Sequence, residues 1–210
     1  MSKNMNVPKL RFKEFGGEWS KNTTNIKIVS GNTYPLDAYS KKGTLLIQGL
    51  NIYPNELQLD NPIYISDSYL TGKDVFVNKE NILLGLNRPI IGKRLKACLF
   101  MKDRAVLYQR AGILDFDKSK LSSRFLFQYL FTPSFVKQLL AELVGSDQPY
   151  IKSDLFKVTK NLFPSKQEQE KIASFLTSVD TKIEQLTKKE KLLQQYKKGV
   201  MQKIFNQEIR

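Results

Sequence analysis

The 46 residues from Ser165 to Arg210 constrain this chain more than any other part of it: they contain no proline, and Gly199 is the one residue there that weakens a helix. With Ile172 taken as position d of a heptad, the a and d positions are Ile172, Leu176, Val179, Ile183, Leu186, Glu190, Leu193, Lys197, Val200 and Ile204. Eight of these ten are apolar, at alternating spacings of four and three, which is the seam of a coiled coil. A helix from near Lys166 to Asn206 is roughly 60 Å long at about 1.5 Å per residue. That is too long to bury its seam against a small domain, so the pattern predicts a second helix, from another chain or from a further part of its own. The competing expectation is an ordinary amphipathic helix folded back on its own domain. Glu190 and Lys197 limit the pairing geometry, and parallel and antiparallel pairing both stay open.

Upstream of Pro164 the character changes. Short apolar runs bounded by Gly, Pro, Asn and Asp predict strands at Thr44–Ile47, Pro62–Ile65, Asn81–Leu84, Ala97–Phe100 and Ala105–Tyr108. After Ser122 and Ser123, an expected N-cap, Phe125, Tyr129 and Leu130 recur at helical spacing. Pro133 is expected to interrupt that helix, and a second, from Ser134, places Phe135, Leu139 and Leu143 on one face until Gly145 ends it. Strands followed by helices, without regular βαβ alternation, indicate an α+β fold. The expected organisation is a globular domain over residues 1–163 and a helical region over 164–210.

Composition excludes much chemistry. With no histidine and Cys98 alone, neither a zinc site built on Cys and His nor a histidine-dependent triad is available. One cysteine and no apolar run of membrane-spanning length predict a soluble, cytoplasmic protein that does not bind membranes. Asn61-Pro62-Ile63-Tyr64 approaches the Asn/Asp-Pro-Pro-Tyr loop of amino-methyltransferases, but Ile63 replaces a proline and no glycine-rich turn follows a strand. Gly85 and Gly92 are separated by six residues instead of the four of a Walker A loop, and Arg94, not Ser or Thr, follows Lys93. Asp115 and Asp117 are the nearest approach to a carboxylate pair, and turn solvation accounts for them. Cys98 lies between apolar neighbours as a core thiol. No metal site and no catalytic residue is expected.

What remains is positive charge. The chain carries 34 Lys and Arg against 20 Asp and Glu, a net +14, and such a surplus suits nucleic acid, an anionic membrane surface or an acidic protein. Between Arg88 and Arg110 seven basic residues, Lys93, Arg94, Lys96, Lys102 and Arg104 among them, stand against Asp103 alone. That density is the footprint of a phosphate-binding face, although strand alternation sends only some of these charges to one side. Side chains able to meet base edges occupy the loops: Asn32, Tyr34, Gln48, Asn51, Asn87, Arg88, Gln109, Arg110, Gln148 and Tyr150. Arginine suits the guanine edge, and Asn or Gln the adenine edge, by paired hydrogen bonds. With Lys93 and Arg94 they form the candidate DNA-binding set.

Several blocks resemble one known family. Val7-Pro8-Lys9-Leu10-Arg11-Phe12 with Glu14-Phe15 and Gly17-Glu18-Trp19, the loop Ser30-Gly31-Asn32-Thr33, and Gly145-Ser146-Asp147-Gln148 followed by Ile151 are similar to specificity subunits of type I restriction-modification systems. So is Phe163-Pro164-Ser165-Lys166-Gln167-Glu168-Gln169-Glu170-Lys171-Ile172-Ala173, running through Phe175-Leu176 and Val179-Asp180 to Ile183. Asn32-Thr33-Tyr34-Pro35 departs from the family's common Gly-Thr-Pro. The resemblance implies a subunit without catalysis. A target recognition domain reads one half of a split site in double-stranded DNA, and conserved helices act as spacer and dock the methyltransferase subunits. S-adenosylmethionine, ATP and magnesium are then expected on partner subunits only, namely the methyltransferase and the restriction/translocase subunit. Family members usually carry two recognition domains and two helical regions, whereas this chain has one of each. It thus corresponds to half a subunit, whose helix is expected to form a homodimer. The alternative is a regulatory module whose helix captures the methyltransferase or a full-length specificity subunit.

Overall fold

The computed structural model describes residues 7–206, and the chain divides into two compact units, one ending at Glu170 and one beginning at Lys171. In the first unit, beside three short two-stranded pairs among the described residues, the strands of the two larger sheets are β1 (Lys27–Ser30), β2 (Tyr39–Ser40), β3 (Thr44–Ile47), β4 (Ile63–Ile65), β5 (Phe76–Asn78), β6 (Ile82–Gly85), β7 (Ala97–Leu99), β8 (Arg104–Leu107) and β9 (Ala111–Asp115). They form two sheets. One is antiparallel in the order β7-β6-β9-β1, and the other is mixed in the order β2-β4-β3-β8-β5, with β3 and β8 its parallel pair. The expected α+β class holds.

Strand alternation explains how one run serves two cores. Ile47, Val77, Ala105 and Leu107 of the mixed sheet meet Leu83, Cys98 and Ala111 of the antiparallel sheet in one buried cluster. The residues between them, Leu46 and Val106, face the other way and pack with Ala38 and Ile65 beneath Tyr34, Tyr39 and Tyr108. The mixed sheet is therefore covered on both faces at its centre, which is why its strands are continuous apolar runs. Cys98 is a buried core thiol as expected, and burial pushes its pKa up to about 12.

The helices are α1 (Ser123–Leu130), α2 (Pro133–Glu142), α3 (Leu155–Val158) and α4 (Lys166–Phe205). Ser122 caps α1, its hydroxyl accepting from the Phe125 N–H at 3.4 Å. Pro133 does not merely interrupt this helix. It occupies the first turn of α2, where its missing N–H leaves no bond unmade, and Thr132 supplies the cap by accepting from Phe135 N–H at 3.3 Å. The helix stops at Glu142 rather than at Gly145, whose φ of +91° belongs to the loop beyond.

An aromatic cluster joins these helices to the chain ends of the unit. Phe125 and Tyr129 both stand edge-on to Phe163, at 5.3 and 4.9 Å, and Phe135 stacks on Phe156 at 5.6 Å. Phe163 is held in turn by antiparallel pairing of Leu162–Phe163 with Ser20–Lys21. Gln169, in the first turn of α4, belongs to this unit: it accepts from the Ser122 N–H at 2.9 Å and donates to the Pro164 carbonyl at 3.0 Å.

The second unit is the remainder of the 40-residue helix α4. Within it Gln194 donates to the Glu190 carboxylate at 3.0 Å, so the acidic break in the heptad seam is tied to the helix's own surface. Among the described residues no helix is long and apolar enough to cross a membrane.

Candidate nucleic-acid interface

The parallel pairing of β3 with β8 fixes the centre of the site. Leu46 pairs with Val106 and Ile47 with Leu107, so both strands end on the same side and the residues that follow, Gln48 and Tyr108, emerge next to each other. The backbone then turns through Gln109 and Arg110 and enters β9 of the other sheet, with Ala111 N–H closing the turn on the Tyr108 carbonyl at 3.1 Å. Antiparallel pairing of Ala111 with Gly85 brings the end of β6 to the same place, and Leu86 N–H donates to the Arg110 carbonyl at 2.9 Å. A further loop closes the ring: Arg88 N–H donates to the Pro149 carbonyl at 2.7 Å, and Ile151 N–H to the Leu86 carbonyl at 3.0 Å.

These loops enclose a cavity of about 370 Å³ at the junction of the two sheets, lined by Gln48, Asn87, Arg88, Lys96, Gln109, Arg110 and Gln148 together with Gly49, Leu50 and Tyr108. Three cations face it and no carboxylate does. Arg88 and Arg110 both hold left-handed backbone, at φ 44° and 69°. Such conformations cost on the order of 1 kcal/mol or more for residues other than glycine and gather where a site needs a side chain aimed in a particular way. Gly49 has a different reason to be there, since a Cβ at its position would lie 2.7 Å from the Arg110 carbonyl oxygen. The turn that aims Arg110 needs that gap.

The polar atoms of the candidate residues separate into two groups. Among the described residues, the side chains of Asn87, Arg88, Gln109, Arg110 and Gln148 make no hydrogen bond or ion pair, so their donors and acceptors are free for a ligand. Asn32, Tyr34 and Asn51 are already engaged. Asn32 and Tyr34 both donate to Asp74 Oδ1, at 3.1 and 2.6 Å, and Asn51 accepts from the Gln48 N–H at 2.9 Å while donating to the Gln58 carbonyl at 3.1 Å. Burial tends to raise the Asp74 pKa, but hydrogen bonds from Tyr34, Thr71 and Asn32 outweigh it and hold the group below the ordinary aspartate value. Tyr34 is correspondingly pushed up, by burial first and then by Asp74. These three side chains brace the loops behind the cavity.

The basic stretch from Arg88 to Arg110 does not form one patch. Arg94 lies in a short hairpin, Ile90–Ile91 with Arg94–Leu95, and its guanidinium is 5.5 Å from the centre of the Phe131 ring; Lys93 occupies the same exposed turn. Arg104 begins β8, at the opposite end of the strand from Arg110, and covers the Phe76 ring at 4.1 Å. Tyr150 pairs through its backbone with Asn87 and Val144 and lines a neighbouring cavity of about 480 Å³ with Ser30, Lys152 and Asp154. Lys96, expected in the basic stretch but not among the residues meeting base edges, also lines the cavity. Its position follows only from the register of β6 with β7, in which Ala97 faces Leu84.

On α4, the expected seam residues Val179, Ile183, Leu186, Leu193 and Ile204 are exposed, Ile183 by 55% and Leu186 by 54%, while Ile172, Leu176 and Val200 are half-buried. Leu192, Tyr196, Met201 and Phe205 are exposed as well, at positions outside a and d. The apolar stripe therefore widens toward the C-terminal end of the helix, beyond what one two-stranded seam covers.

Comparison with known proteins supplies the context for this arrangement. Residues 23–195 match the family described as the type I restriction modification DNA specificity domain. The specificity subunit of the type I restriction enzyme MjaVIII from Methanocaldococcus jannaschii is 30% identical over 188 residues, covering 88% of this chain and 44% of that protein. In fold the chain is similar to a solved chain of a type I R-M system studied for complex assembly and conformational transition, with a TM-score of 0.61 at 16% identity, covering 86% of this chain and 43% of that one. It is also similar to the HsdS subunit from Thermoanaerobacter tengcongensis, with a TM-score of 0.56 at 15% identity, covering 86% and 41%. The chain spans less than half the length of each of these proteins.

Proposed function

The chain belongs to the type I restriction modification DNA specificity family, and from that premise we propose that it is a non-catalytic recognition subunit that reads one half of a split site in double-stranded DNA. The observation that carries this reading is the cavity at the sheet junction. Cations without acidic partners, Arg88 and Arg110 among them, supply phosphate affinity there, and the unengaged amides of Asn87, Gln109 and Gln148 are free to meet base edges. Methylation, ATP hydrolysis and cleavage then reside in partner subunits, which bring S-adenosylmethionine, ATP and magnesium.

The helix has a separate part. Its exposed a/d seam suits a second helix, in the first instance that of another copy, which places two recognition units on a symmetric split site. The additional apolar side chains at Leu192, Tyr196, Met201 and Phe205 leave surface for a further partner, the methyltransferase subunit. That width also favours the second reading, a regulatory module that occupies the methyltransferase or a full-length specificity subunit.

One experiment separates the two. The purified chain is mixed with its methyltransferase subunit and labelled S-adenosylmethionine, and genomic DNA is assayed for methyl transfer, with each protein alone as control. Methylation only in the mixture, at a palindromic split sequence, is the expected result. Complex formation without methylation supports the regulatory module instead.

A further inference from the structure

Lys96 is a partly buried cation with no carboxylate beside it among the described residues. It precedes β7, pairs by backbone with β6, and turns its side chain across that strand into the cavity that also holds Arg88 and Arg110. The space for its stem exists because residue 85 is glycine: a Cβ there would lie 3.1 Å from Lys96 Cβ, 2.8 Å from Cε and 3.2 Å from Nζ. The ammonium is partly desolvated, which holds its pKa below the ordinary lysine value, and among the described residues no carboxylate or hydrogen-bond acceptor offsets that cost. A surface lysine normally keeps its head in water. This one is recessed, confined in its stem, and grouped with two arginines whose backbones hold an uncommon conformation.

We propose that Lys96 is a phosphate ligand, and that with Arg88 and Arg110 it holds one phosphodiester of the DNA backbone in the cavity, next to the amides that face the bases. A neutral base edge would bring no counter-charge to the three cations that line the cavity, whereas a phosphodiester brings a negative charge and enough acceptor oxygens for all three. Confinement by Gly85 means that little side-chain freedom is lost on binding. The fixed phosphate then sets the register in which Asn87, Gln109 and Gln148 meet the base pairs. This assignment rests on the reading of the chain as a DNA-recognition subunit.

The test has two arms on the full chain. In the first, binding of a mixed-sequence DNA duplex is measured across a range of NaCl concentrations for the wild type, Lys96→Gln and Lys96→Arg. Loss of one phosphate contact lowers affinity and reduces the slope of log K against log salt by about 0.9, and the arginine variant restores the slope. In the second, the εCH2 resonance of Lys96 is titrated with inorganic phosphate at constant ionic strength. Bound anion is expected to shift that resonance and raise the Lys96 pKa.

The proposal predicts both effects. Duplex binding with an unchanged slope in Lys96→Gln and no phosphate response overturns it while leaving DNA recognition intact. A phosphate response in a chain that binds no duplex also overturns it, and overturns the DNA reading with it, leaving a site for a free anion. Lys96→Met, which keeps the apolar stem, serves if the glutamine variant proves unstable.

Discussion

The guanidinium of Arg11 meets the carboxylate of Glu168 in a two-pronged contact, Nε to Oε1 at 2.8 Å and Nη2 to Oε2 at 2.6 Å, across 157 residues of chain. Glu168 is buried in the first turn of α4, where Trp19 Nε1 donates to it at 3.4 Å, and Arg11 also donates to the carbonyls of Gly16 and Gly17. The hydrogen bond to Glu168 raises the Arg11 pKa further above its ordinary value. Two sequence blocks at opposite ends of the compact unit are thus one structure.

Removing either partner leaves a charge enclosed without its counterpart. Arg11→Ala is expected to lower the melting temperature by on the order of 10 °C, because breaking a buried pair is far more costly than breaking an exposed one. Thermal unfolding followed by circular dichroism measures it; a shift under about 2 °C would show that water replaces the arginine at no cost.

Asp74 makes stability depend on pH in a known direction. Its folded pKa lies below the ordinary value, so it stabilises the fold above the unfolded aspartate pKa, and that contribution is lost as pH falls through the folded value. Chemical denaturation from neutral pH down into the acid range is expected to show a component of declining stability that Asp74→Asn lacks. Parallel curves for the two proteins would mean that the folded Asp74 pKa is not lowered.

Two glycines near the recognition loops should respond differently to alanine. At Gly31 a Cβ would lie 2.2 Å from the Leu107 carbonyl oxygen, which is backbone in the middle of the core and has nowhere to go. Gly31→Ala is expected to give insoluble or unfolded protein. At Gly85 the closest obstructing atom is Cε, near the far end of the Lys96 side chain, and Lys96 Cβ at 3.1 Å has to give by only a few tenths of an ångström, so Gly85→Ala is expected to fold, displace the Lys96 ammonium, and bind duplex more weakly. Solubility, unfolding and duplex titration of the two variants check the contrast.

Single substitutions of Asn87, Gln109 and Gln148 to alanine are expected to relax base preference, by roughly 1–3 kcal/mol per lost bidentate contact, while leaving the salt slope of binding unchanged. Selection of bound sequences from a random pool, compared with wild type, reads this directly. Asn51→Ala is expected to behave otherwise: its amide holds backbone at Gln48 and Gln58, so its loss perturbs the loop and lowers stability.

The double substitution Ile183→Lys with Leu186→Lys places two charges in the exposed seam of α4. Self-association measured by sedimentation is expected to disappear, since burying unpaired ammonium groups in an apolar seam is prohibitive. A double variant that sediments like the parent assigns the seam to another contact.

Much of the architecture was legible in the sequence, for reasons particular to certain segments. The long helix declares itself because its heptad runs uninterrupted by proline, and strands such as Thr44–Ile47 declare themselves because both faces are buried. Short edge strands such as Tyr39–Ser40 carry too few residues to show a period. The candidate site was half legible. Gln48, Asn87, Arg88, Gln109, Arg110 and Gln148 belong together, but composition cannot distinguish them from Asn32, Tyr34 and Asn51, whose identical chemistry is turned inward to hold loops. Lys96 was counted in the basic stretch, but its place in the cavity was not legible, since it depends on a register and on the missing side chain of Gly85.

The ring of loops around the cavity is closed by main-chain bonds, Arg88 N–H to Pro149, Leu86 N–H to Arg110, Ile151 N–H to Leu86 and Gln109 N–H to Asn32, and the side chains that brace it, Asn32, Tyr34 and Asn51, stand behind it. Main-chain bonds are indifferent to what each residue carries. Side chains at positions 87, 109 and 148 are therefore exchangeable in a way that glycines 31 and 49 are not, and a new set can be displayed on an unaltered frame. A protein built like this can acquire a different preference by a few substitutions without first having to survive a loss of folding.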